Sequence, residues 1–301
     1  MKHIIISILA LAALAGCSKS EGGNVPLGDD VPIVLNAGIA AASIASDSRA
    51  VVETGTAFTA GVAGWETSGV PAYGNAAEWY TTADITASTD VKSAVLKDPQ
   101  TYDANNGVKT YMKAWQPAGA PANGAVTFSN TDGTVDVLLA GPISGSKNDN
   151  TGKVLHFAHK STQLKFKVVA DASLAAGTTI RKISVLNAEL PTGIDLTADA
   201  VTYAAVATLD VPGIPADKEI STTAAVVGEP VMIRPMRGNT VTLRIETSSA
   251  TFERVTATID DDTNFVEGKA YTITLTFKQQ SLSLTATVAE WTRGSGSAEV
   301  E

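Results

Sequence analysis

Residues 271–291 read YTITLTFKQQSLSLTATVAEW. Every second position in two parts of this stretch is apolar, namely Tyr271, Ile273, Leu275 and Phe277, then Leu282, Leu284, Ala286 and Val288. Successive side chains of a β-strand point to opposite faces, so this alternation places one apolar face on a core and a hydroxylated face toward solvent. The stretch therefore predicts two half-buried strands, 271–277 and 282–291.

The same period of two recurs upstream, as in residues 163–170 and 240–246. The chain is rich in Val and Thr, which suit pleated and half-buried strands, and its 25 glycines supply turns. Helical periodicity is nearly absent, and residues 90–96 are the one candidate for a short helix. An all-β protein is indicated.

Strand signals divide into two groups around the polar turn cluster at residues 141–152. Further strands are expected at 31–39, 56–65, 109–115, 125–129, 134–140, 154–157, 163–170, 179–186, 231–234, 240–246 and 252–259, with a weak signal at 77–80. Many short strands separated by turns favour sandwiches over βαβ units. We expect two tandem antiparallel β-sandwich domains, residues 31–152 and 153–301.

The N-terminus has the features of an export signal. Lys2 precedes an apolar run over residues 4–14, which is too short for a permanent membrane span. Cys17, the only cysteine, follows Leu-Ala-Gly directly and resembles the lipobox of bacterial lipoproteins. Residues 1–16 are then a signal peptide, the Cys17 thiol carries lipid that holds the chain to a membrane, and residues 18–30 form a polar, Gly-rich tether.

Composition excludes several classes of function. The net charge is −9 and the longest basic run is a dipeptide, so we expect no nucleic-acid partner. With Cys17 lipidated, no thiol remains for a disulfide or a zinc cluster. We expect no cofactor.

The sequence carries no recognisable catalytic constellation, so we expect no enzyme. His156 and His159 lie three residues apart on a predicted strand, which places them on opposite faces, and surface or satisfied core histidines are the favoured interpretation. The acidic residues 260–262 and the loop 148–150 lack EF-hand spacing and are interpreted as solvated turns. Trp65 and Trp79 keep an alternative open, a lipid-anchored glycan-binding module of a nutrient-uptake system.

Three local patterns, in this order along the chain, carry a resemblance to a known family. They are the lipobox followed by Ser48-Arg49-Ala50, the segment LHFAHK at 155–160, and the closing TVAEW at 287–291. Together they resemble the fimbrillins, the lipoprotein-precursor subunits of type V pili. The resemblance implies transthyretin-like sandwiches, an outer-membrane lipoprotein precursor, and an arginine-specific protease that cuts the Arg49–Ala50 bond before assembly into a surface fimbrium.

The cut implied by this resemblance would remove the predicted strand 31–39. A sandwich that loses a strand exposes unpaired backbone groups and an apolar groove, which a strand from another pilus subunit can fill. The C-terminal end is the expected donor, with candidate side chains Leu282, Leu284, Ala286, Val288 and Trp291. Alternatively, these residues form the last strand of their own domain, and both can hold if the strand is released during assembly.

Overall fold

A computed structural model describes residues 30–39, 52, 56–88, 90–259, 263–279 and 281–290. Within these residues the chain consists of β-strands, turns and bridges, so the described part has no helix that could cross a membrane. The first ten strands are β1 (Val31–Pro32), β2 (Leu35–Ile39), β3 (Ala57–Thr67), β4 (Trp79–Thr86), β5 (Lys92–Leu96), β6 (Thr101–Tyr102), β7 (Lys109–Gln116), β8 (Ala125–Thr127), β9 (Leu138–Gly145) and β10 (Val154–His159).

Seven of these strands close into a barrel in the order β10-β2-β5-β4-β3-β7-β9, with β9 returning to β10. All neighbours are antiparallel except β2 and β10, which run parallel. The barrel is filled by alternate side chains, many of them small: Ala37, Ala60, Ala83, Ala94, Ala114 and Ala140 are all buried in its core. The small residues bring the strands close together across the barrel.

The second half contains thirteen strands within the described residues. They are β11 (Thr162–Ala170), β12 (Thr179–Ala188), β13 (Pro191–Asp195), β14 (Ala200–Tyr203), β15 (Ala207–Asp210), β16 (Lys218–Glu219), β17 (Ala225–Ile233), β18 (Met236–Arg237), β19 (Thr240–Thr247), β20 (Thr251–Thr258), β21 (Asn264–Phe265), β22 (Lys269–Phe277) and β23 (Leu282–Glu290).

Two of its sheets share one core. One sheet has the order β17-β11-β22-β23, and the other has the order β15-β12-β19-β20 with β16 beside β12. The alternating apolar residues of β11, β19 and β22 all lie in this core, as the period of two predicts. The described residues of the stretch at 271–291 form the antiparallel pair β22–β23, with β23 at the edge of its sheet.

The two halves contact each other through a third core and a shared sheet. In that sheet β8 of the first half pairs with β13 of the second. Trp115 and Val126 pack against Ile194 and Leu196, all of them buried. The Lys113 side chain crosses the same contact, with Nζ 2.6 Å from the Leu196 carbonyl oxygen and 2.6 Å from Asp199 Oδ1.

The all-β prediction is confirmed for the described residues. The expectation that both halves are antiparallel is wrong at two strand pairs, because β2 runs parallel to β10 and β11 runs parallel to β22. The candidate helix at 90–96 is wrong, because residues Lys92–Leu96 form β5 and bond to β2 on one side and β4 on the other. The first core also extends beyond residue 152, since β10 contributes Leu155 and Phe157 to the barrel. The domain limits at 152 and the transthyretin-like topology stay predictions.

Candidate functional site

The candidate site is the seam of the barrel that residues 31–39 fill, here called the seam segment. Its alternate side chains point into the first core, each at most 6% exposed: Val31, Ile33, Leu35, Ala37 and Ile39. Burying such a row of aliphatic groups stabilises the barrel by roughly 1.5–3 kcal/mol for each of the larger side chains. The segment is thus a structural part of the barrel.

The backbone of the seam segment is bonded on both sides. Four residues of β2 pair with β10 and three with β5, while β1 pairs with β6. The Ile33 amide donates to the Gln100 carbonyl oxygen at 2.8 Å, and the Ile39 amide donates to the Ser88 carbonyl oxygen at 2.9 Å. Removal of the segment would therefore leave unpaired backbone groups on both β5 and β10, beside an apolar groove.

A buried polar cluster lies beyond the end of β2. Asp136 and His159 are 3% and 5% exposed, and His159 Nδ1 is 3.1 Å from Asp136 Oδ1. The Val52 amide donates to Asp136 Oδ2 at 3.2 Å, and the Val52 side chain is buried in the first core. The chain that follows the candidate cleavage bond is thus held in the barrel by side chains outside the seam segment.

Sequence reasoning missed Asp136 as part of this cluster. The sequence does contain a signal for it, since Asp136 lies between Val135 and Val137 in a predicted strand. A buried acid in such a position needs a polar partner. The interpretation of the two histidines is confirmed: His156 is exposed, and His159 is a core residue bonded to an acid.

Tyr102 lines the other end of the seam, where it is the strand partner of Val31. Its ring is 2% exposed, and burial raises the pKa of its phenol to about 12, with a smaller contribution from the Asp149 carboxylate. Its hydroxyl is buried without a hydrogen-bond partner. The phenol stays neutral and fills space beneath the seam segment.

The candidate donor strand is docked in its own sheet. β23 pairs with β22 over nine residues, and Ala286 is 2% exposed and forms an isolated bridge to Ile259, the residue after β20. Leu282 and Leu284 are half-buried against the second core. In this structure β23 is therefore the last strand of its own half, which is the alternative that the sequence left open.

The other predicted site residues fall outside the described residues. These are Cys17, Arg49, Ala50 and Trp291, and the acidic residues 260–262 also lie there. Val288 belongs to β23, where its strand partner is Tyr271.

The aromatic residues of the first half contribute to packing. Trp65 is 3% exposed and donates from Nε1 to the Asn75 carbonyl oxygen at 3.1 Å, with Tyr73 edge-on to its ring. Trp79 packs against the first core. Neither ring forms the open platform that the glycan-binding alternative requires.

The acidic loop at 148–150 is internally neutralised. Lys153 Nζ lies 2.8 Å from Asp149 Oδ1 and lowers the pKa of that carboxyl. Among the described residues, no group of three His, Cys, Asp or Glu side chains is placed to hold a metal ion.

Comparison with known proteins gives one family and several solved structures. A family model described as fimbrillin-like matches residues 48–291, which begin just before Arg49–Ala50. No curated protein matches the chain.

Three of the similar solved structures are described as candidate cell adhesion proteins. One from Bacteroides uniformis is 17% identical, with a TM-score of 0.57, over 87% of this chain and 99% of that one. Another from Bacteroides ovatus is 15% identical, with a TM-score of 0.55, over 88% and 99%. A third from Parabacteroides distasonis is 12% identical, with a TM-score of 0.52, over 90% and 99%. At these identities the similarity is one of fold.

Proposed function

This chain belongs to the fimbrillin-like family, and we propose that it is a structural subunit of a cell-surface fimbria that supports adhesion. The chain is exported as a lipoprotein, modified at Cys17, and carried to the outer membrane. An arginine-specific protease cuts after Arg49, and the subunit that starts at Ala50 joins the fimbria by donor-strand exchange.

The seam segment is the observation that carries this proposal. It is buried, bonded on both sides, and followed ten positions later in the sequence by Arg49. While it is present, the barrel has no free seam and the precursor stays monomeric. Once the cut has separated it from the rest of the chain, it can dissociate and expose an apolar groove between β5 and β10.

A filament follows if each groove accepts a strand from the next subunit. Strand addition supplies backbone hydrogen bonds along the groove and places alternate side chains in its pockets. Because donor and acceptor surfaces differ, subunits add head to tail, and an open filament forms when the rotation between subunits does not close a ring. The proposed donor is β23, released from its own sheet during assembly, with other subunits of the same or a related kind as partners.

Substitution of Arg49 tests the proposal. Treatment of the purified precursor with an arginine-specific protease should give a chain that starts at Ala50, followed by ladders that persist in detergent. Arg49→Ala should abolish both the Ala50 terminus and the ladders. Arg181→Ala is the matched control, since Arg181 is an exposed arginine in the second half, and it should assemble like the wild type.

If the Arg49→Ala chain assembles as well as the Arg181→Ala chain, cleavage at this bond does not trigger assembly and the proposal is wrong. A parallel Cys17→Ala variant separates anchoring from assembly. It should lose metabolic labelling with a fatty acid and partition into the aqueous phase of a detergent extraction, whereas its purified precursor should still be cut and assemble.

A further inference from the structure

We infer that β23 of a second copy enters the emptied seam in the same direction as β2, with Ala286 taking the place of Ala37. This inference rests on the proposed function, because it requires the seam segment to leave. It adds the direction and the register of the replacing strand, which together fix the neighbours of each donor side chain.

The inward side chains of the two strands follow the same order of sizes. The last four inward residues of the seam segment are two large residues, one small residue and one β-branched residue, namely Ile33, Leu35, Ala37 and Ile39. The apolar positions of β23 repeat that order as Leu282, Leu284, Ala286 and Val288. Each donor residue in this register replaces a side chain of similar volume, which is the substitution that cores tolerate best.

The Ala37 position restricts the direction and the register in which the donor strand can enter. Ala37 is 1% exposed in a barrel core that contains seven alanines, so a larger side chain there would overpack the site. A donor that runs in the opposite direction over the same four positions would place Leu284 at the Ala37 position and Ala286 at the position of Leu35, where it leaves a cavity. A reversed donor that keeps Ala286 at the Ala37 position would instead place the carboxylate of Glu290 at the buried position of Ile33, which is costly without a partner. A shift of two residues either way brings Leu284 or Val288 to the Ala37 position.

The outward face of the seam fits the same register. Its side chains would be Ser283, Thr285 and Thr287 in place of Val34, Asn36 and Gly38. The Gly38 position accepts a side chain, because a Cβ built there lies 3.7 Å from both the Ser88 carbonyl oxygen and Val91 Cγ2, an ordinary contact. The position therefore has room for the Cβ atom of Thr287 where the seam segment has glycine.

A cross-link between the donor strand and β10 can measure the register. His156 of β10 is the strand partner of Gly38 and is exposed, so the inferred register places Thr287 of the donor opposite His156. The reversed direction places Ser283 there instead. Partner positions on neighbouring strands lie about 5 Å apart, within the range of a disulfide.

Two double variants test the inference, His156→Cys with Thr287→Cys and His156→Cys with Ser283→Cys. The processed chain has no other thiol, because Cys17 precedes the cut. Both variants are processed, assembled under mild oxidation, boiled in detergent without reductant and compared by size. The first should give a covalent ladder that reductant abolishes, and the second should stay monomeric after boiling.

The outcomes separate this inference from the proposed function. A covalent ladder from the Ser283→Cys variant alone overturns the direction, and the proposed function stands. Detergent-resistant assembly of both variants without a covalent ladder overturns the register, again with the proposed function intact. If the wild-type chain, processed in parallel, does not assemble, the proposed function and this inference both fall.

A peptide measures the same specificity without changing the folded chain. Peptides of residues 281–291 are added in excess to the processed subunit, and the length of the ladder is recorded. The wild-type and Ala286→Ser peptides should occupy the seam and shorten the ladder, whereas the Ala286→Leu peptide should leave it at full length. Equal shortening by all three peptides would contradict the assignment of Ala286 to the Ala37 position.

Discussion

Lys113 is the residue that joins the two halves most directly. Its side chain is 1% exposed, and Nζ contacts the Leu196 carbonyl oxygen, the Asp199 carboxylate and the face of the Tyr73 ring, 3.7 Å from the ring centroid. A buried ammonium is tolerated only when such partners replace its water. The halves are therefore joined by a specific polar side-chain contact beside their shared apolar core.

Replacement of Lys113 by Met should lower the free energy of unfolding by about 1–3 kcal/mol, because the Leu196 carbonyl then loses its hydrogen-bond donor in a buried position. Chemical denaturation measures the change. Lys97→Met is the control: Lys97 is exposed and lies 3.5 Å from Asp84, and such a surface pair contributes at most about 1 kcal/mol. A larger loss for Lys97 than for Lys113 would contradict this account.

The raised pKa values of two tyrosines predict that the folded chain loses stability at alkaline pH. Burial raises the pKa of the Tyr102 and Tyr203 phenols from 10.0 to about 12 each. Above pH 10 the unfolded chain loses these protons while the folded chain still holds them, so stability is complete below pH 10 and is lost as the pH rises toward 12. The free energy of unfolding should fall across this window.

Replacement of Tyr102 by Phe should reduce that fall, since the buried hydroxyl has no hydrogen-bond partner to lose and the phenyl ring fills the same space. Denaturant titrations below pH 10 and near pH 12 give the comparison. An equally steep fall in Tyr102→Phe would show that this phenol does not cause it.

At the scale of elements, the seam segment determines whether the barrel is closed. Leu35 is 1% exposed, so Leu35→Ala should destabilise the precursor by about 2–5 kcal/mol through the cavity that it creates. Val34→Ala is the control, because Val34 is 59% exposed and its loss should change stability little. Urea denaturation of the two precursors measures the difference.

After processing and removal of the seam segment, the Leu35→Ala and Val34→Ala chains have the same sequence and should unfold alike. A difference in stability that persisted after processing would mean that the segment had not left the barrel.

The strand at 31–39 could be predicted from the sequence, but its neighbours could not. A period of two identifies which face is buried, whereas strand pairing depends on contacts far away in the chain. This is why the parallel pairing of β2 with β10 was not expected, and why residues 90–96 appeared compatible with a helix. The short strand β13 contains Pro and Gly, and β14 has little apolar alternation, so neither has a clear strand pattern in the sequence. β13 is extended because it pairs with β8 of the other half.

The candidate site was predictable to the same limited extent. Leu282, Leu284 and Ala286 could be assigned to one strand from their spacing. The contact of Val52 with Asp136 could not, because it joins positions separated by 84 residues through a side chain. Only the folded barrel brings them together.

For the whole molecule, the proposed function assigns removal to a buried segment of the first half and donation to an edge strand of the second half. The seam segment belongs to the first core, and β23 lies at the edge of the second half. The third core and Lys113 connect the two halves, so a strand accepted by the barrel is mechanically linked to the sheet that donates the next one. This arrangement suits a subunit of a continuous filament.

The N-terminal residue of the chain in surface fibres shows whether the seam segment is removed before assembly. Fibres sheared from cells that produce the protein are dissociated, and the terminal residue is identified by sequencing and mass spectrometry. The account predicts Ala50, with residues 17–49 absent from the fibre. A lipid-modified Cys17 at the terminus of the assembled subunit, with the seam segment still attached, would contradict it.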